Sequence, residues 1–211
     1  MRKDISLKIK RIIDIVVAVI ILFISFPIIL ITSLLIFLED KGPIFFMQRR
    51  VGLRGKEFTL IKFRSMKVNN FPPEEIGQVR EEHPLVTRIG RIIRRYHIDE
   101  IPQIINVLKG DMSLVGPRAT IPSQVMNYDD FQKRRLEMKP GITGWAQVNG
   151  NTLLDWNDRI RLDVWYIEHW SLRLDLYIII KTLKTIILGE FIDKKALKEA
   201  IEYEIHTHRG G

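Results

Sequence analysis

The sequence predicts a predominantly helical α+β domain, monotopic on a membrane. A proline-broken, re-entrant N-terminal helix and interfacial amphipathic helices would hold it there. Three observations carry this reading. Residues 15–38, "IVVAVIILFISFPIILITSLLIFL", are 24 in a row without a charge. Pro27 stands near the centre of that run. The formal net charge of +8 lies wholly in residues 1–67, with 13 Lys/Arg against 5 Asp/Glu, while 68–211 hold 20 of each. A basic excess around one apolar segment fits an anionic membrane surface better than a nucleic-acid face.

At about 1.5 Å per residue the apolar run is long enough to cross a hydrocarbon core of roughly 30 Å. A plain transmembrane helix is therefore the competing reading. It is too long for a secretory leader and no small-residue cleavage site follows it. Pro27 removes a backbone donor and favours a kink, and Ser25 is placed to help satisfy the freed carbonyls. Both flanks are basic: Arg2, Lys3, Lys8, Lys10 and Arg11 before, Lys41, Arg49, Arg50, Arg54 and Lys56 after. Loop charge then selects no direction across the membrane. A helix that enters, bends at Pro27 and returns keeps both flanks on one side. The expected organisation is a membrane helix with its basic flank over 1–40, a catalytic domain over 41–192 and a charged, peripheral tail over 193–211.

Beyond the turn "EDKGP", residues 44–48 and 57–66 read as strands joined by "GLRGK". Residues 69–77, "NNFPPEEIG", read as a loop. Residues 88–96 and 102–108 read as helices. The stretch "KGDMSLVGPR" (109–118) reads as a loop, and "KPGITGWAQVNG" (139–150) as a glycine-rich loop with a short strand. Residues 157–170 read as a helix. Residues 174–188 are apolar but carry Lys181 and Lys184, so they suit either the membrane interface or an ordinary amphipathic core helix. The chain has no cysteine, which excludes disulfides, thiolate metal sites and cysteine nucleophiles.

Asp99 and Glu100 stand together at the junction of the two central helices, in "YHIDEIPQ". As plain structure, Asp99 is a helix N-cap and Glu100 favours the helix dipole. The same place suits a nucleophilic carboxylate, with Arg94 and Arg95 favouring its ionised form. An adjacent carboxylate suits Mg²⁺ shared with phosphates. Lys62 and Arg64 alternate along a strand, and Arg118 follows a Gly-Pro turn; each is either a phosphate ligand or a solvated surface charge. The segment 87–111 also has the outline of a helix-turn-helix. Asp99 and Glu100 would then face DNA phosphates and repel them, which argues against nucleic acid as a partner.

Four stretches, "KRIIDIVVAVIILFISFPIILI", "GPIFFMQRRVGLRGKEFTLIKFRSM", "TRIGRIIRRYHIDEIPQIINVLKGDMSLVGPR" and "KPGITGWAQVNG…RLDVWYIEHWSLRLDLYIIIKT", cover most of residues 10–184. In this order they resemble the bacterial sugar transferase family, the polyisoprenyl-phosphate hexose-1-phosphate transferases, in its minimal monotopic form. The resemblance implies transfer of a sugar-1-phosphate from a UDP-sugar to a polyprenyl phosphate, expected to be undecaprenyl phosphate, with release of UMP. It implies Asp99 as nucleophile, Glu100 as Mg²⁺ ligand, Lys62, Arg64 and Arg118 near the phosphates, and Asp163 in the site. It implies a helix break at Pro27 and a catalytic domain on the cytoplasmic face of a bacterial inner membrane, among membrane lipids. The expected role is a first membrane step of glycoconjugate or exopolysaccharide assembly, and a homodimer is left open. A nucleophilic carboxylate would divide the transfer through a covalent aspartyl-phosphosugar. The chain departs from the family pattern at Phe26 before the proline, at His97–Ile98 before the acids, at Ala119 after Gly-Pro-Arg, and at Asn151, where an arginine expected at the phosphates is missing.

Overall fold

The computed structural model describes residues 2–68 and 83–209. The loop expected at 69–77 lies outside them. Helix α1 (Arg2–Asp40) leads into an antiparallel hairpin, β1 (Phe45–Val51) and β2 (Glu57–Phe63). Helices α2 (Arg88–Arg95) and α3 (Gln103–Lys109) follow, joined by a 3-10 turn, Ile98–Glu100. Then come β3 (Ser113–Val115), the short helices α4 (Pro122–Val125) and α5 (Asp130–Lys133), β4 (Gly141–Thr143) and α6 (Trp145–Val148). Three longer helices close the chain: α7 (Trp156–Glu168), α8 (Leu172–Leu188) and α9 (Lys194–Arg209). The fold is mostly helical, with two small two-stranded sheets among the described residues.

Helix α1 runs unbroken through Pro27. Helical hydrogen bonding resumes past the proline, since one missing N–H does not end a helix with long apolar runs on both sides. Ser25 Oγ donates to the carbonyls of Ile21 (2.7 Å) and Leu22 (3.4 Å), not to that of Phe23, whose partner the proline removes. Residues 5–40 are apolar and long enough to cross a bilayer, and only 17% of the most apolar window is buried, unlike the core helix of a soluble protein. By length, composition and exposure it is compatible with a monotopic membrane protein.

One stripe of α1 faces the domain along its length. Lys10, Asp14, Ala18, Ser25, Thr32 and Ile36 are buried, at helical spacing. Near the N-terminal end, Lys10 Nζ donates to Asp175 Oδ2 at 2.6 Å, and Arg11 donates to the carbonyls of Val107 and Leu108. Asp14 accepts from Ser113 Oγ (2.8 Å) and Leu114 N (3.1 Å). At the other end Glu39 accepts from the backbone N–H groups of Arg88 and Ile89 at the start of α2, and Asp40 pairs with Arg64. Most of the remaining apolar side chains of α1 are exposed, Phe23 and Ile24 most of all.

The segment 109–118 is not simply a loop. It contains β3, parallel to β4 with Ser113 opposite Gly141 and Val115 opposite Thr143. Three residues are too few to show an alternating pattern, and the partner is distant in sequence. The contact needs Gly141, where a Cβ would sit 2.1 Å from the Gly116 nitrogen. The tail is not peripheral either: α9 packs on α7 and buries Ala196 and Ala200 completely or nearly so. Helix α8 buries Ile178 in the core beside two charged residues. It buries Asp175 and Lys181 but exposes Leu176, Ile180, Leu183 and Ile187. Lys181 is buried because Asn149 Oδ1 (2.6 Å) and Asp193 Oδ2 (2.7 Å) accept from it, with Trp145, Tyr177 and Phe191 rings around its ammonium.

Candidate active site

The 3-10 turn Ile98–Glu100 is entered through His97 in the left-handed region (φ 55°), which reverses the chain after α2. Helix α3 then clamps the turn against β2. Asn106, fully buried, donates from Nδ2 to the Thr59 carbonyl (2.7 Å) and accepts from Ile61 N at Oδ1 (3.1 Å). One asparagine thereby closes the exposed edge of β2 and sets Lys62 opposite the two acids. Arg94 Nε donates to Ser65 Oγ at 2.8 Å and ties α2 to the same strand end.

Asp99 is not a helix cap. The N-cap position of α3 belongs to Pro102, and Asp99 lies in the turn before it. Among the described residues its carboxylate accepts no hydrogen bond, although it is only 8% exposed. Burial raises its pKa; Lys62, Arg94 and His97 pull the other way, and Glu100 adds to the rise. The arginines therefore do not give a readily ionised carboxylate: Arg94 is outweighed by burial, and Arg95 is exposed.

Glu100 is the opposite case. Its Oε1 accepts from Lys62 Nζ at 2.7 Å and from Arg118 Nη2 at 3.0 Å. Burial works against its charge, but these two cations overcome it and hold the carboxyl far below the usual range. Arg118 gains in return, its pKa raised chiefly by Glu100. Its side chain is 43% exposed, so a ligand has access to it. Two neighbouring acids with pKa values driven apart can take two different roles. Asp99 is an unpaired, more basic carboxylate, and Glu100 a fixed negative charge.

The structure joins Lys62, Asp99, Glu100 and Arg118 and leaves Arg64 out of that contact. β2 ends at Phe63, so Arg64 leaves the strand on which it would share a face with Lys62. Its guanidinium is 7% exposed and grips both oxygens of Asp40, and Nε donates to the Pro43 carbonyl at 2.5 Å. Asp163 reaches the group only through another residue. Its Oδ2 accepts from Arg135 Nε at 2.7 Å. Arg135 donates from Nη1 to Tyr128 Oη and from Nη2 to the Arg118 carbonyl, both at 2.9 Å. Sequence reasoning passed over Arg135 and Asn106. The available signals were an asparagine inside the apolar helix "QIINVL" and the last arginine before "LEMKPG".

Among the described residues no three His, Asp or Glu side chains gather as a cage for metal. Glu100 Oε2 makes none of the bonds above, and Asp99 lies beside it. That donor set suits Mg²⁺, which usually takes one or two carboxylates and completes its shell with water and substrate phosphates.

A family model for the bacterial sugar transferases matches residues 5–189. The chain is 43% identical over 185 residues to the uncharacterized sugar transferase EpsL of Bacillus subtilis (strain 168), covering 88% of this chain and 90% of that protein. It is 44% identical over 189 residues to a UDP-N-acetylgalactosamine-undecaprenyl-phosphate N-acetylgalactosaminephosphotransferase of Aeromonas hydrophila, covering 86% of this chain and 44% of that one. It is 42% identical over 181 residues to a UDP-glucose:undecaprenyl-phosphate glucose-1-phosphate transferase of Xanthomonas campestris pv. campestris, covering 82% and 37%. The chain thus spans most of the first relative and less than half of the other two.

Proposed function

This chain belongs to the bacterial sugar transferase family, and we propose that it moves a sugar-1-phosphate from a UDP-sugar to undecaprenyl phosphate at a membrane surface, releasing UMP. The observation that carries this reading is the split acid pair. Asp99 is unpaired and made more basic by burial, while Glu100 is pinned between Lys62 and Arg118. Relatives of nearly equal similarity are named for glucose and for N-acetylgalactosamine. The shared residues therefore serve hexose-1-phosphate transfer in general, not the choice of sugar.

In the first step an Asp99 oxygen attacks the sugar-bearing phosphorus of the donor. The phosphoanhydride bond breaks, UMP leaves with its electron pair, and an aspartyl-phosphosugar remains. In the second, a phosphate oxygen of the lipid attacks the same phosphorus. The Asp99–phosphorus bond breaks, and the carboxylate is restored as the lipid diphosphosugar departs. Lys62 and Arg118 carry charge on the transferring phosphoryl group in both steps. Mg²⁺, held by Glu100 and the phosphates, would neutralise further charge there.

Release of UMP from a panel of UDP-sugars, with undecaprenyl phosphate and Mg²⁺, tests the activity; no release from any of them would sink it. Arg118→Ala is expected to lower turnover roughly 10²-fold or more with unchanged melting, because its side chain is half exposed. Arg64→Ala is expected to lower stability first, because it frees the C-terminal end of α1.

The anchoring of α1 at both ends supports a helix that returns to its own side of the bilayer. Lys10, Arg11 and Asp14 hold one end to the domain, and Glu39 and Asp40 the other. A helix crossing the membrane cannot keep both sets of bonds to a domain on one face. The outward apolar face of α8 would lie in the same interface. The native chain has no cysteine, so single cysteines at Lys8 and Lys56 report topology directly. Both are expected to be labelled from the cytoplasmic side of sealed vesicles; labelling from opposite sides would establish a spanning helix.

A further inference from the structure

The two cations of the site, Lys62 and Arg118, donate to the same oxygen, Glu100 Oε1. They come from separate parts of the chain, Lys62 from β2 and Arg118 from the segment between β3 and α4. Their common acceptor is also the carboxylate that the donor reading assigns to Mg²⁺. Once Glu100 serves a metal and phosphates enter, another contact must hold the two cations in register.

Arg50 joins the two parts. Across the hairpin Phe46 stands opposite Lys62, Gln48 opposite Leu60 and Arg50 opposite Phe58. Opposite residues, and alternate residues of one strand, share a face. Arg50, Gln48 and Lys62 therefore lie on one face of the hairpin. It is the less exposed face, since residues 46, 48 and 50 are partly buried while 45, 47 and 49 are exposed. From there Arg50 Nη1 donates to the carbonyl of Ala119, the residue after Arg118, at 3.1 Å. Its Nη2 donates to Gln48 Oε1 at 2.6 Å, which fixes the guanidinium to its own strand. Beside this bond Val51 N donates to the Thr120 carbonyl at 2.8 Å. Ala119 and Thr120 are buried, so water competes little for the joint.

An arginine is an unfavourable choice for packing alone. Arg50 is largely buried, its Nε has no hydrogen-bond partner, and among the described residues its guanidinium forms no ion pair. Burial, and then Arg118, lower its pKa to about 10, with Glu100 opposing them. An apolar side chain would fill the same space without burying a charge. What the guanidinium adds is a rigid fork, with one nitrogen on β1 and another on the peptide that follows Arg118.

We infer that Arg50 is a positioning residue: by holding the Ala119 carbonyl to the hairpin, it sets the spacing of Lys62 and Arg118 around the transferred phosphoryl group. This rests on the donor reading above.

Arg50→Met keeps most of the bulk and removes both bonds. It is expected to lower kcat about tenfold, with a much smaller change in donor KM, because the spacing matters most as charge develops on the phosphoryl group. Combined with Arg118→Ala it is expected to cost nothing further, since Arg50 acts through Arg118. A residue serving the fold alone would lower the melting temperature and leave kcat per folded enzyme unchanged, or its loss would multiply with that of Arg118→Ala. Either result overturns the inference. Should Arg50→Met not fold, Gln48→Leu decides. It leaves Arg50 in place but releases its fork, and is expected to lower kcat with the same lack of additivity; an unchanged kcat overturns the assignment. If the wild type releases UMP while these tests fail, the inference alone falls. If it releases none from any UDP-sugar, the donor reading falls and takes the inference with it.

Discussion

Asp99→Asn is expected to abolish release of UMP and to melt at a higher temperature than the wild type at neutral pH. Both outcomes have one cause. Burial raises the Asp99 pKa, so its charged form is less favourable folded than unfolded. A raised pKa contributes stability that is fully present below the unfolded value and is lost as pH rises through the folded one. At neutral pH that contribution is gone, and a neutral isostere restores it. The strain left in the charged carboxylate accompanies the reactivity it needs, a trade common at active sites. Incubation with a UDP-sugar and Mg²⁺, without lipid, should release up to one UMP per active enzyme and add the mass of a sugar-phosphate to the peptide carrying Asp99. Glu100→Gln should keep that adduct but form it slowly, because the amide neither balances Lys62 and Arg118 nor offers a hard anionic ligand. The acid limb of the first half-reaction should lie above the ordinary aspartate range, and Lys62→Ala should move it higher, since Lys62 opposes the effect of burial. An adduct that persists in Asp99→Asn, or UMP that appears only when lipid is added, would replace the covalent route by direct attack of the lipid phosphate.

Much of this site was legible in the sequence where chemistry is local. The adjacent acids, the Gly-Pro-Arg turn and the lysine of "IKFRSM" each announce themselves within a few residues, and the structure brings them together through Glu100, which accepts from both Lys62 and Arg118. What was hidden depends on pairing across the chain. Arg64 has the same alternation as Lys62, but only the structure shows that the strand ends between them and that Asp40 lies in reach. Residues 88–96 and 102–108 read as helices and are helical over 88–95 and 103–109. The strand at 113–115 was not legible, because its partner is a glycine-containing segment 28 residues on. Lys181 left residues 174–188 open between the membrane interface and a core helix, since composition cannot show that Asn149 and Asp193 wait for it. In α1, Lys10 read as a membrane flank and Glu39 and Asp40 as part of a turn, yet they and Asp14 each make a bond to the domain.

Asp163 reaches Arg118 through Arg135, and the second large effect is expected there. Asp163 and Arg135 are 1% and 3% exposed, and Asp163 Oδ1 has no hydrogen-bond partner among the described residues. Burial raises the Asp163 pKa, and the attraction of Arg135 offsets this only in part. Removing one partner leaves the other buried and uncompensated, which costs roughly 3–5 kcal/mol. Asp163→Leu and Arg135→Met should therefore each lower the melting temperature sharply. The double variant replaces both charges by apolar groups of similar bulk, and such exchanges are often neutral or stabilising. It is expected to recover much of the lost stability. Activity should not recover with it. Arg135 also donates to the Arg118 carbonyl, and its Nη1 holds Tyr128. Without that tether the segment 117–119 loses the contact that aims Arg118 at Glu100. The double variant should thus be folded, bind donor phosphate poorly and turn over slowly, with the loss resembling that of Arg118→Ala. Recovery of activity together with stability would show that the Asp163–Arg135 pair serves the core alone, and that Arg118 is positioned by its bridge to Gly141 and by Arg50, which donates to the neighbouring Ala119 carbonyl at 3.1 Å.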